Sequence, residues 1–227
     1  MAEYFATNPC AMVRDVDSGT EKPTFSFFAR NPIPARLALL AGDCLQNLRS
    51  SLDYLVWELV LATNNQPTDK HMFPVSLTGK SFKKALKGGR LEGIDPAALA
   101  LIDSLQPYKS GELDAPGTPL AVLDNLVNIN KHRRVLMTVM RTTPAKGIIF
   151  AKLEDSQFAL PTVTTFDHDA NFRTTLTPEE VQMHGGLAVF ITLQEGAAKG
   201  TEISTCLNAL GNYVLMDIMP HFERFFI

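Results

Sequence analysis

Cysteine is scarce in this chain of 227 residues, which holds only Cys10, Cys44 and Cys206. Odd in number and widely spaced, with Cys44 and Cys206 at apolar helix positions, they make neither a disulfide framework nor a zinc motif. Histidine is thin as well: His71, His132, His168, His184 and His221 show no pairwise ligand spacing on one helix, so no metal or cofactor is expected. Excess positive charge is missing. The net charge of −3 gives no global pull toward nucleic acid or anionic lipid, so any such binding must be local. Long hydrophobic runs are missing too, since none reaches the roughly 18 to 20 residues that span a bilayer. MAEYFATNPC lacks the charged and apolar regions of a signal peptide, and no internal repeat is visible. A cytoplasmic protein with no membrane partner is expected.

What is present is a core-forming composition, 45% hydrophobic, enough for one large domain over residues 1–227. The chain is organised around Gly42 to Val60, GDCLQNLRSSLDYLVWELV. Three- and four-residue spacing puts Leu37, Ala41, Cys44, Leu48, Leu52, Leu55, Val56 and Leu59 on one apolar face. The far side carries Asp43, Gln46, Asn47, Arg49, Ser50, Asp53, Tyr54 and Trp57, with no lysine. Solvated helix faces favour Lys and Glu, whereas Asn, Ser and Asp compete for backbone hydrogen bonds. Two readings stand. The strip is a polar seam covered by another segment, or it is a binding or catalytic site with Arg49 as an anion fork, Asp53 orienting it and Tyr54 or Trp57 as a stacking wall.

Before this helix, Ala11 to Val16 and Thr24 to Phe28 flank an Asp17-Ser18-Gly19 turn, which predicts a hairpin within residues 1–30. The helical core is expected over residues 33–138, opening at Pro32 and Pro34 and interrupted near Asn64 to Pro67. Lys80, Lys83, Lys84 and Lys87 form a basic amphipathic piece, either a solvated face or a phosphate-contacting patch. Asp95-Pro96 caps a helix that Pro107 ends, and Thr118-Pro119 opens another centred on LDNLVNINKHRRVL. The cluster Lys131, His132, Arg133 and Arg134 either complements the helix dipole or makes His132 a general acid or base beside two anion holders. Residues 139–195 change character. The runs Ile148 to Leu153, Phe158 to Phe166 and Leu187 to Leu193 read as strands of an insertion, and Asp167-His168-Asp169 as a turn. A final helix over residues 201–222 has the stripe Ile203, Cys206, Leu207, Leu210, Val214 and Ile218.

The pieces GD-x-x-x-N-L-R-S-x-L-D at Gly42 to Asp53, Phe73-Pro74, Gln106-Pro107-Tyr108 and N-I-N-K-H-R at Asn128 to Arg133 resemble a group of uncharacterised bacterial proteins. Their helix reads closer to GD-x-x-H-N-L-R-S-A-L-D-H and their later motif closer to D-K-H-R. The same helix resembles the HEPN superfamily of helical nucleases, whose arginine is followed after four to six residues by a histidine. That resemblance implies RNA-processing or defence work, a homodimer, and RNA or another phosphate-bearing ligand. Here Arg49 is followed five residues on by Tyr54, Gln46 stands where the group has His, and Asn130 where it has Asp. Tyrosine, with an ordinary pKa near 10, is a poor base at neutral pH, so an altered or inactive catalyst is implied.

The expected class is α+β: a helical bundle around one long central helix, with a small antiparallel sheet from the N-terminal hairpin and a C-terminal insertion. Arg49 and His132 are the candidate catalytic residues, with Asp43, Gln46, Asn47, Ser50, Asp53, Tyr54, Lys131 and Arg133 as binding residues. The rival is a non-enzymatic binding or assembly protein whose polar cluster is a structural network between helices.

Overall fold

The computed structural model describes residues 2–7, 10–16, 23–29, 31, 33–111, 113–132, 137–139, 172–175 and 191–226, with the backbone alone given for 5, 10–16, 23–29, 137–139 and 172–175. The chain forms two compact units, Met1–Leu37 with Met137–Thr192, and Ala38–Leu136 with Leu193–Ile227.

In the first unit a short helix α1 (Ala2–Ala6) precedes strands β1 (Cys10–Val16) and β2 (Pro23–Ala29). Their backbones pair antiparallel from Cys10↔Ala29 to Val16↔Pro23, and β4 (Phe172–Thr175), which follows β3 (Met137–Val139) in the chain, pairs with β2. Tyr4 donates to the Asn31 carbonyl at 2.8 Å, tying α1 to the end of the hairpin. A two-stranded pairing joins β3 to β5 (Ile191–Leu193).

The α+β expectation is corrected. Among the residues whose side chains are described, 67% are helical and β5 is the single strand, so the class is helical and no antiparallel sheet enters the described packing. The expectation rested on short β-branched and aromatic runs, whose propensity is set mostly by neighbours that the sequence does not display. Of those runs, Ile148 to Leu153 and Phe158 to Phe166 lie outside the described residues, as do Asp167-His168-Asp169 and His184, and the last contributes only Ile191–Leu193.

The second unit is built on α2 (Ala35–Ala62), whose first three residues belong to the first unit. It starts directly after Pro34 and ends where Asn64 takes a left-handed φ of 59°, a conformation that asparagine tolerates. Helix α3 (Gly79–Lys87) is held by a Thr78–Ser81 capping box. Helix α4 (Pro96–Ser104) is capped by Asp95, which accepts from Ala97 N at 2.7 Å. After 3-10 turns at Pro107–Ser110 and Ala115–Gly117 come α5 (Pro119–His132) and α6 (Ile203–Asn212). The chain continues through a π segment (Tyr213–Ile218) and a 3-10 segment (Met219–Phe225). These wider and then tighter turns lie beside Pro220, which has no N–H for an α-helical bond.

The core of this unit is apolar and continuous in type: Leu45, Leu52, Val56, Phe73, Ile102, Leu120, Leu123, Leu126, Val214, Ile218 and Phe222 are all buried. One face differs from expectation. The buried stripe of α2 runs through Ala41, Gly42, Leu45, Arg49, Leu52, Val56, Leu59 and Val60, while Cys44 is exposed and Leu48 half-buried. The core face is rotated so that Arg49 sits inside it.

Candidate functional site

Arg49 lies between Leu45 and Leu52 on the buried stripe, with its side chain only 9% exposed. A guanidinium in that position must be satisfied by partners that fold over it. One Nη donates to Asp53 Oδ1 at 2.7 Å, and the other donates to the carbonyl of Phe73 at 2.7 Å. The same Asp53 oxygen accepts the Phe73 N–H at 2.8 Å. Arginine and aspartate, one helical turn apart, therefore hold both polar backbone groups of a single residue. Phe73 itself is fully buried.

The remaining guanidinium edge meets α5. Arg49 Nε is 3.8 Å from Asp124 Oδ1, a charge contact longer than a hydrogen bond, and Asp124 Oδ2 accepts from Asn128 at 3.0 Å. At the other end of the same pair of helices, a Cβ added to Gly42 would lie 2.4 Å from Asn130 Oδ1. The steps from Arg49 back to Gly42 and from Asp124 on to Asn130 are about 10.5 and 9 Å at the usual helical rise. The helices thus run antiparallel in matching register. Gly42 lets the Asn130 side chain of α5 lie directly against the α2 backbone. On its other flank α5 is tied to the start of the C-terminal segment, where Asn125 Oδ1 accepts from Ala197 N at 3.0 Å.

The segment after Phe73 is held in the same manner. Gln106 Nε2 donates to Pro74 O at 2.9 Å and to Ile102 O at 3.1 Å, and Tyr108 N donates to Ser76 O at 3.2 Å. Among the described residues, buried Gln106 Oε1 has no partner. The Tyr108 hydroxyl donates to Asp103, whose other oxygen accepts from Lys109 at 2.6 Å. Burial works to raise the Asp103 carboxyl, but the hydrogen bonds from Lys109 and Tyr108 outweigh it and hold the group below its ordinary range. For Tyr108, burial and then the bond to Asp103 both raise the pKa, so the phenol keeps its proton. Gly42, Arg49, Asp53, Phe73-Pro74 and Gln106 to Tyr108, which are scattered in sequence, form the seams of one packed unit.

The other candidate residues lie elsewhere. Asp43, Gln46, Asn47 and Tyr54 are exposed on α2, Ser50 is half-buried, and Gln46 makes a long 3.4 Å contact to Ser50. Lys131 and His132 are exposed at the end of α5, and Arg133 lies outside the described residues. His132 is about 12 Å along the helix beyond Asp124, the α5 residue nearest Arg49 in charge contact. The α5 residues that meet the motif of α2 are thus Asp124 and Asn130. Sequence reasoning missed Asp124, Phe73 and Gln106 as partners. The legible signal was the Leu45, Arg49, Leu52, Val56, Leu59 spacing, which places the arginine among core positions.

The lysines of α3 are exposed, with Phe82 buried beneath them. At the end of that helix is an open hollow of about 410 Å³ lined by Lys70, Lys87, Gly89, Glu92 and Leu99. Glu92 and the carbonyl end of α3 offset its two lysines, which makes it a poor anion site. Among the described residues no group of His, Cys, Asp or Glu is placed to hold a metal ion, and no helix is long and apolar enough to cross a membrane. The chain matches no family model, no curated protein and no solved structure.

Proposed function

We propose that this chain is a non-enzymatic binding or assembly protein of HEPN-like helical type, working in the cytoplasm, in which the Arg49 cluster is a structural network. One observation carries this reading: the Arg49 guanidinium is buried and engaged with Asp53 and the Phe73 carbonyl. A phosphate could reach it only by displacing both. His132, the remaining proton-transfer candidate, is exposed on another helix with no described partner to orient it. RNA and a homodimer are the partners that the HEPN resemblance supplies, and both can be tested directly.

The experiment is a comparison of the parent protein with Arg49→Ala and His132→Ala. On this reading none of the three cleaves single-stranded RNA above a no-protein control. Arg49→Ala unfolds at a clearly lower temperature, whereas His132→Ala melts with the parent. RNA cleavage by the parent that disappears in a folded His132→Ala variant would establish the nuclease reading instead.

A further inference from the structure

With Arg49 turned inward, the outward face of α2 carries no positive charge beyond Arg36 in its first turn, which is paired with Glu3 at 2.6 Å. From Ala38 to Thr63 the sole cation is Arg49, and the acids that remain outside are Asp43 and Glu58, both exposed. Among the described residues neither has an ion-pair partner. On a helical wheel Leu40, Asp43, Tyr54, Trp57, Glu58 and Leu61 fall within about 60° of one line. Four of them are large and uncovered: Leu40 is 58% exposed, Tyr54 70%, Trp57 41% and Leu61 40%. The strip is about 31 Å long from Leu40 to Leu61, the length of a helix of some twenty residues. Exposed aromatics gathered on one rigid helix are the residue types that anchor interfaces.

We propose that this strip docks a cationic amphipathic helix of a partner protein. Leu40 and Leu61 would meet its apolar positions. Asp43 and Glu58, near the two ends, would pair with its lysines or arginines, and the faces of Tyr54 and Trp57 would receive cationic side chains. Charge selects this occupant over two others. A nucleic acid strand would bring phosphates to an acidic surface. A second copy, laid antiparallel about Ser50 and Ser51, would match Leu40 with Leu61 but would set Asp43 against Glu58 twice, like charge on like. The proposal rests on the binding-protein reading above and names its partner class.

Trp57 is the only tryptophan in the chain, so its fluorescence reports on this face alone. The full-length protein is titrated with a twenty-residue helical peptide of Leu and Lys at heptad spacing, and in parallel with the Leu and Glu counterpart. A saturable blue shift of Trp57 with the Leu/Lys peptide and none with the Leu/Glu peptide is the expected result. Tyr54→Ala and Glu58→Lys, both at exposed positions, should each weaken that binding about tenfold or more while leaving the far-UV spectrum unchanged. No shift with the Leu/Lys peptide, an equal shift with the Leu/Glu peptide, or a saturable shift with single-stranded RNA overturns the proposal. So does a shift that appears on concentrating the protein alone, with dimer in sedimentation. Failure here with a destabilised Arg49→Ala and no RNA cleavage removes only the partner assignment; RNA cleavage removes the underlying reading.

Discussion

Replacing Arg49 by alanine is the perturbation to which the second unit should respond most sharply. Three losses combine. The Phe73 carbonyl is left as a buried acceptor without its charged donor, which costs about 1 to 3 kcal/mol. The Asp53 carboxylate is 38% exposed, so water takes over much of what the guanidinium supplied, and that loss is about 1 kcal/mol. The arginine stem also fills space beside Leu45 and Leu52, and its removal leaves a gap worth about 1 kcal/mol. A total of about 3 to 5 kcal/mol corresponds to a fall in Tm on the order of 10 °C. Thermal and urea unfolding followed by far-UV circular dichroism measure it. Arg49→Lys should recover less than half, because one ammonium has no planar fork to bridge Asp53 and the Phe73 carbonyl together. An Arg49→Ala protein within about 1 kcal/mol of the parent would refute the reasoning, most plainly if it had also lost an RNA-dependent activity.

Two further outcomes follow from the same packing. Gly42→Ala forces a methyl group toward the Asn130 amide, the movable end of a half-buried side chain, and should destabilise by no more than about 1 kcal/mol once the helix-propensity gain of roughly 1 kcal/mol is counted. In an Asn130→Ala background the same change should become neutral or stabilising, which a double-mutant cycle by urea unfolding reads directly. At the start of α6, burial works to raise the Glu202 pKa, but the Thr205 N–H, donating at 2.6 Å, and further bonds from Ser204 and Thr205 hold it below the ordinary value. A carboxylate depressed in the folded state contributes stability above its unfolded pKa, and that contribution is lost as pH falls through the folded pKa. Glu202→Gln should therefore flatten the loss of stability on acidification below about pH 4.5, measured as unfolding free energy against pH.

The bounds of α2, its start after Pro34 and its end near Asn64, were legible because proline and asparagine act locally on the backbone. The same holds for the Asp95 cap and for the stripe Ile203, Cys206, Leu210, Val214 and Ile218. Arg49 was misplaced for a physical reason. Polarity assigns an arginine to the wet side of a wheel, and only the partners that fold over it, Asp53 one turn on and Phe73 from a distant loop, allow it inside. Asp124 and Gln106 act across helices, and no local pattern announces a tertiary hydrogen bond. The N-terminal runs do pair as the β1–β2 hairpin, but strand runs misled as a signal of class, because β-branched and aromatic residues serve helix cores equally well, as Val56, Phe82 and Val127 do here.

The claim that the Arg49–Asp53 pair is a closed architectural clamp is tested most directly by amide hydrogen exchange at Phe73. Its N–H is bonded to Asp53 at 2.8 Å under a fully buried side chain. Protection close to that of the slowest core helices, lost selectively in Asp53→Ala, is the expected result. Exchange at the rate of an open loop in the parent protein would mean that the clamp stands open in solution, with Arg49 free to meet a ligand.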